Sequence, residues 1–432
     1  MDWISTRGHG PVDWATALRE GPAPDGGLYL PERTEPRLGG PPGAELHHTA
    51  TWLLGPWLEG AAPEAEVARV AREAFAAPVP LVRLDDDTWV LELSHGPTGA
   101  FKDFGARFLA RALACWAPPE RAGRTILVAT SGDTGGAVAH AFHRLPRARV
   151  VVLFPADGVS ELQRRQFTTL GHNVTAAALD GSFDDCQRLV LAALADPELR
   201  DRHQLTSANS LNVGRLLPQA AYYFHAALSD AWRGGAAPTF VVPSGNLGNL
   251  TAGLLAARAG ARTAGFVAAL NANDGFARWL GGEGPGTDGV ARTTLSNAMD
   301  VARPSNLERL AALVADDRAR LAREVTAVSV GDRETLEAMR ELEGRFGYVA
   351  DPHTAVGFAA LTRLRTEGLA TRPAVLLATA HPGKFPDTVH TAIGRPPPSH
   401  PGLADPSTPE RVVDLGASPA DLESLLGTEV PR

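Results

Sequence analysis

The sequence predicts an α/β fold with open, mostly parallel, twisted sheets in two domains and a small α/β unit at the N-terminus. Two observations predict it. Short apolar runs rich in β-formers, each followed by a glycine-containing turn and then an alanine- and leucine-rich stretch, recur at 125–143, 149–170, 239–257 and 374–385; this is the order of a parallel sheet with helical crossovers. The runs at 126–129, 150–154, 240–242 and 375–378 are apolar without alternation, as strands are when helices cover both faces.

Taken from the N-terminus, the first 75 or so residues stand apart, with a Gly/Pro-rich stretch at 39–43 and helical patterns at 12–19 and 64–75. The apolar run 89–93 leads through HGPTGAFKDF (95–104) into an amphipathic stretch at 104–116. A strand at 124–129 runs into TSGDTGG (130–136) and a helix at 137–145, and a strand at 239–242 runs into PSGNLGN (243–249) and a helix at 250–257. The late strand 375–378 opens into TAHPGKF (379–385). Then GRPPPSHPG at 394–402 breaks regular structure, and a short helix is expected at 419–426. The expected units are 1–78, a large α/β domain from 79–124 and 216–394, a small α/β domain at 125–215, and a Pro-rich tail at 395–432 with its short helix.

With 432 residues, 44% hydrophobic and 21% charged, the chain has the composition of a globular protein with sizeable cores. A net charge of −8 argues against a large nucleic-acid or anionic-membrane footprint, so function is to be sought in a small-molecule pocket. Cys115 and Cys186 lie in helix-like stretches without metal-ligand spacing and are expected to be buried thiols. No apolar run approaches a bilayer span and the first residues lack a signal pattern, which makes the cytoplasm the expected location.

Lys102 carries the chemistry. It sits at the start of a helix, where the partial positive charge of the N-terminus disfavours an ammonium and favours a nucleophilic amine. Alone, the motif also fits an exposed first-turn lysine. The turn at 130–136 offers backbone N–H groups and the hydroxyls of Thr130, Ser131 and Thr134 to a carboxylate or phosphate, or else is a capped strand-to-helix turn. The turn at 243–249 lets backbone approach a ligand, yet has neither the Lys-Ser/Thr of a Walker loop nor G-x-G-x-x-G spacing. Thr379, at the carboxyl end of a strand, faces the crevice where such folds bind ligands, or is a local cap.

Together these segments resemble the threonine synthases, pyridoxal-phosphate enzymes of fold type II, the tryptophan-synthase-β type. The match runs through ISTRG (4–8), APDGGLY (23–29), HGPT (95–98), FKDF (101–104), TSGDTG (130–135), SANS (207–210), PSGN (243–246), LSNAMD (295–300) and AHP (380–382). The resemblance implies that Lys102 forms the Schiff base with pyridoxal 5'-phosphate and that Gly245, Asn246, Leu247, Gly248 and Asn249 cradle its phosphate. It implies that Thr379 meets the pyridine nitrogen, where a neutral hydroxyl suits elimination and replacement, and that Asp133 lies near the ring hydroxyl.

The loop from Thr130 to Thr134, with Ser131, would hold the substrate carboxylate; Ser207, Asn209 and Arg215 are the candidates for its phosphate. Without the resemblance, 209–212 reads as a capped turn and Arg215 as a solvated or ion-paired helical residue. Ser296, Asn297 and Asp300 either line the pocket or close a loop on itself, and Asp351 and His353 read as a turn and cap. The implied reaction takes O-phospho-L-homoserine and water to L-threonine and phosphate, with Lys102 moving protons and the departing phosphate helping to activate water. A phospholyase giving a 2-oxo acid and ammonia shares the motifs, and a catalytically silent binding protein is the reading from another class. Leu247 and Asn249 depart from the aromatic and acidic residues expected of the family. No metal is implied, and the family contains both monomers and homodimers.

Overall fold

The computed structural model describes residues 1–36, 40–41, 45–118, 123–284, 291–369, 371–403 and 407–428. Most of the Gly/Pro-rich stretch at 39–43 lies outside them. The strands in chain order are β1 (Trp3–Ser5), β2 (Tyr29–Pro31), β3 (Leu81–Arg83), β4 (Thr88–Glu92), β5 (Arg124–Ala129), β6 (Ala148–Pro155) and β7 (Val174–Leu179). They continue with β8 (Leu205–Ser207), β9 (Thr239–Pro243), β10 (Gly265–Leu270), β11 (Val325–Ser329), β12 (Ala374–Ala378) and β13 (Val412–Leu415).

Two sheets dominate. One has the order β11-β10-β9-β12-β4-β3 and is parallel except for its edge strand β3; the other has the order β13-β7-β6-β5-β8 and is parallel throughout. The expected apolar runs are the central strands. β5, β9 and β12 are buried along their whole length, because helices close both faces and leave no solvent side for polar residues. The antiparallel pair β1-β2 belongs to the N-terminal unit, with the helices Trp14–Glu20, Leu46–Leu54 and Glu64–Ala74.

The helix Lys102–Trp116 links the pieces. Phe104, Phe108, Leu109 and Leu113 repeat at helical spacing on its buried face, and burying each such side chain is worth roughly 1.5–3 kcal/mol. Phe104 stacks on Phe75 of the N-terminal unit and tilts against Tyr222. Lys102 is thereby mounted on an element fixed from several sides.

Two differences from the sequence reading have physical causes. The helices after β5 and β9 begin earlier than expected, at Asp133 and Gly248, so their free N–H groups reach into the preceding turns instead of lying beyond them. The tail contributes a strand as well as a helix: β13 adds to the edge of the small sheet beside β7, and Pro419–Gly427 packs behind it. The guanidinium of Arg149 donates to the carbonyls of Leu425 and Leu426, receiving the last turn of that helix. Val412 and Val413 remain exposed, so the strand lacked the apolar run that marks a central one.

Candidate active site

The carboxyl ends of β4, β5, β9 and β12 lead into the segments that carry Lys102, Asp133, Gly245–Asn249 and Thr379, and these converge on one cleft. That is where ligands bind in open parallel sheets. The lining includes Lys102, Ser131, Asp133, Thr134, Asn209, Arg215, Gly245, Asn246, Leu247, Gly248, Asn249 and Thr379. These residues come from five separate stretches of sequence, carried by strands of both parallel sheets.

Lys102 is the first residue of its helix and its side chain is 15% exposed. The backbone N–H of Phe101 donates to the carbonyl of Thr379, pinning the lysine's turn to the end of β12. Its Nζ lies 3.4 Å from Oδ2 of Asp133. Burial lowers the pKa of this ammonium; Asp133 opposes the shift, and the charges of Lys384 and Arg215 add to it. Asp133 itself, 2% exposed, is held well below the usual carboxylate range, with burial opposing and Lys384 and Lys102 prevailing.

The loop at 245–249 approaches its neighbours at backbone distance. A β-carbon on Gly245 would stand 2.6 Å from Cα of Met299, so glycine is required for the backbone at Met299 to pack against this loop. Leu247 adopts φ 59°, a left-handed conformation that bulky residues seldom hold outside functional turns. It starts the helix Gly248–Arg258, whose first residues Gly248 and Asn249 line the cleft. Oδ1 of Asn249 accepts from the hydroxyls of Tyr222 and Tyr223 at 2.5 and 2.8 Å.

Several buried donors here lack acceptors. Among the described residues, Nδ2 of Asn249 and both Nε and Nη1 of Arg215 have no hydrogen-bond partner, and Arg215 is 3% exposed. A buried guanidinium with idle N–H groups is costly unless an anion arrives. The cleft therefore presents an amine able to attack a carbonyl, a helix N-terminus with loose donors, and a second cationic site. These fit a phosphorylated aldehyde cofactor together with an anionic substrate.

Two expected contacts are not brought to the cleft. The Thr130 hydroxyl is fully buried and accepts from the N–H groups of Gly132 and Gly135; it holds the turn together and does not line the cleft. Ser207 is likewise buried, its Oγ accepting from the N–H of Asn209. Asn209 lines the cleft, but its amide bonds both the N–H and the carbonyl of Ala129 at the end of β5. Short polar side chains commonly satisfy the backbone groups of their own turns.

Asp300 accepts from Thr294, Asn271 and Asn273, so its loop is bonded largely to itself, while Ala298 and Met299 face the cleft. Asn297 instead spans to the side-chain oxygen of Gln163, 3.0 Å away. Asp351 caps the helix Pro352–Thr366 as expected. His353 does more: it lines the cleft, pairs through Nδ1 with Asp351 at 2.7 Å and accepts at Nε2 from the N–H of Ala298. Lys384, fully buried and 2.7 Å from Oδ1 of Asp133, was not singled out from sequence. Its place in TAHPGKF, just after Thr379, was the available signal.

Cys186 is buried, and burial pushes its thiol up to about 12. Cys115 is only half-buried and receives a hydrogen bond from Arg69, a correction to the expectation that both are buried.

Comparison with known proteins bears on the same residues. A family model described as pyridoxal-phosphate dependent enzyme matches residues 74–379, and one for the C-terminal part of threonine synthase matches 354–427. The chain is 41% identical over 405 residues to the threonine synthase of Serratia marcescens, covering 91% of each, and 40% identical over 387 residues to that of Escherichia coli, covering 89% of each. The crystal structure of the Escherichia coli threonine synthase superposes with a TM-score of 0.90 at 37% identity over 99% of both chains. A pyridoxal-phosphate-bound threonine synthase from Brucella melitensis gives 0.86 at 36% identity, covering 99% of this chain and 98% of the other.

Proposed function

This chain belongs to the threonine synthases, pyridoxal-phosphate-dependent enzymes, and we propose that within it Lys102 holds the cofactor while Arg215 holds the phosphate of the substrate. The reaction converts O-phospho-L-homoserine and water to L-threonine and phosphate, the last step of threonine biosynthesis. The observation that carries the assignment of Arg215 is its buried guanidinium, with Nε and Nη1 unpartnered in the cleft that Lys102 also lines.

The cofactor, when bound, supplies an electron sink for charge developing at the substrate's α-carbon. The loop from Gly245 to Asn249 would take its phosphate on backbone N–H groups and the free Nδ2 of Asn249. Thr379 would meet the ring nitrogen with a neutral hydroxyl, and Asp133 would lie toward the ring hydroxyl. The substrate carboxylate falls to Ser131, Thr134 and the N-terminus of the helix Asp133–Phe142; Thr130 and Ser207 do not line the cleft.

Lys102 Nζ is the base for the α-proton. The lowered pKa direction leaves it readily uncharged, as a proton acceptor must be. The same amine is placed to return protons along the substrate chain, while Arg215 keeps the leaving phosphate from diffusing away. Ala298, Met299 and Val301 line the cleft and present apolar surface to the reacting groups. Free thiols at Cys115 and Cys186 support a reducing, cytoplasmic setting, and no described helix is long and apolar enough to cross a membrane.

Phosphate release from O-phospho-L-homoserine by the cofactor-loaded protein, with product analysis, tests the reading. Threonine and phosphate in a one-to-one ratio support it. Phosphate accompanied by 2-oxobutyrate and ammonia would make the chain a lyase instead.

A further inference from the structure

Asp133 is the carboxylate nearest the reactive amine, yet its better contacts are elsewhere. Oδ1 receives Nζ of Lys384 at 2.7 Å and Nε2 of Gln163 at 2.9 Å, whereas Nζ of Lys102 stands 3.4 Å from Oδ2. Lys384 is fully buried, and its ammonium also donates to the carbonyl of Thr98 at 2.9 Å. Thr98 is held in turn by Asp103, which accepts from both its N–H and its hydroxyl. The second lysine is thus anchored to the loop that leads into Lys102.

A buried lysine is expensive to keep, and an apolar side chain of similar volume commonly serves stability as well or better. Its presence beside Asp133, the carboxylate paired with the reactive amine, therefore calls for a role in the site. We propose that Lys384 is a positioning residue: by taking the shorter contact to Asp133, it weakens that carboxylate's hold on Lys102 and keeps that amine available to the cofactor aldehyde. This inference rests on the reading of Lys102 as the cofactor-bearing lysine.

The surrounding charges agree with this assignment. Lys102 is faced by Asp133, Lys384 and Arg215, and Asp133 additionally by His353. Lys384 is faced by Asp133 and Asp103, with the imidazoles of His381 and His400 nearby. Removing Lys384 subtracts one positive charge from this set and returns Asp133 to Lys102, so Lys102 should become harder to deprotonate. Burial of Lys102 acts in the opposite direction and is unchanged by the substitution.

The test uses the full chain freed of cofactor, as parent, Lys384→Met and Lys384→Arg. Pyridoxal phosphate is added across a pH series, and its attachment is followed by absorbance, borohydride trapping and peptide mass. Attachment joins the lysine nitrogen to the aldehyde carbon with loss of water, and it requires the neutral amine. In Lys384→Met the midpoint of the rate profile should move up by at least about one pH unit, making attachment near neutrality about tenfold slower but comparable at high pH. Lys384→Arg, which keeps the charge, should stay close to the parent.

A parental midpoint in a folded Lys384→Met variant would overturn the inference while leaving Lys102 as the cofactor lysine. Attachment of the parent's cofactor at another lysine would overturn both. Should the methionine variant be insoluble, Lys384→Gln, which keeps a donor for the Thr98 carbonyl, carries the same expectation and the same refutation.

Discussion

A β-carbon on Gly105 would stand 2.4 Å from the carbonyl oxygen of Arg215. Gly105 lies one turn beyond Lys102 on the helix Lys102–Trp116, and Arg215 lies on the short helix Val213–Leu216. The missing side chain therefore lets the helix of the reactive lysine press against the backbone of the proposed phosphate ligand. The separation of those two groups is set by backbone contact, which is stiffer than any side-chain contact could be.

Gly105→Ala should force the two helices apart. Stability should fall by about 1–3 kcal/mol, typical of overpacking, even though alanine is the better helix former. Turnover should fall by more than that loss explains, because the distance between amine and phosphate site changes. Denaturant unfolding and kinetics on the same preparation check both. A variant as stable and active as the parent would show that the contact is soft.

Arg215→Met should uncouple stability from binding. A buried guanidinium without a full set of acceptors destabilises the ligand-free protein, so the methionine variant should unfold at equal or higher temperature. It should also lose about 2–4 kcal/mol of affinity for O-phospho-L-homoserine, the scale of a buried charged contact, with cofactor binding spared. Calorimetry with the substrate and absorbance titration with pyridoxal phosphate separate the two. Unaltered substrate affinity would remove Arg215 from the phosphate site.

The sequence made the central strands and the loops after them legible because both signals are local: an unbroken apolar run and a glycine-bearing turn. Strand direction left Lys102, the turn at 130–136 and Thr379 each open to a structural reading, and it was the resemblance that joined them with the loop at 245–249; the structure brings Lys102, Ser131, Thr134, that loop and Thr379 to one cleft. What escaped depends on partners distant in the chain. Whether Thr130 or Ser207 faces a ligand is decided by N–H groups of their own turns, and whether Lys384 matters is decided by Asp133, some 250 residues away. β13 escaped for a related reason, since an exposed edge strand needs no apolar pattern until it pairs.

Thr379→Asp should change the product and not merely the rate. Thr379 is buried in the cleft at the end of β12, and a carboxylate there would favour a protonated ring nitrogen and a stronger electron sink. A larger share of turnovers should then end as 2-oxobutyrate and ammonia instead of threonine. Product ratios by amino-acid analysis measure this directly. The parental ratio, at any rate of turnover, would argue against contact between Thr379 and the ring.

Acid should weaken the protein through His381. Burial, helped by the neighbouring His400, pushes its pKa down to about 4, and its Nδ1 accepts from the N–H of Gly383 in the turn that carries Lys384. The folded protein keeps the ring neutral while the unfolded chain takes a proton near pH 6.5. The resulting stability is therefore present above about 6.5 and lost as pH falls toward 4. Because the imidazole is partly exposed, screening reduces the effect to about 1–2 kcal/mol. His381→Asn retains an acceptor for the Gly383 N–H without titrating, so its melting temperature should fall less than the parent's between pH 7 and pH 4.5. Equal falls in the two proteins would place the acid-sensitive group elsewhere, with His400 next to be replaced.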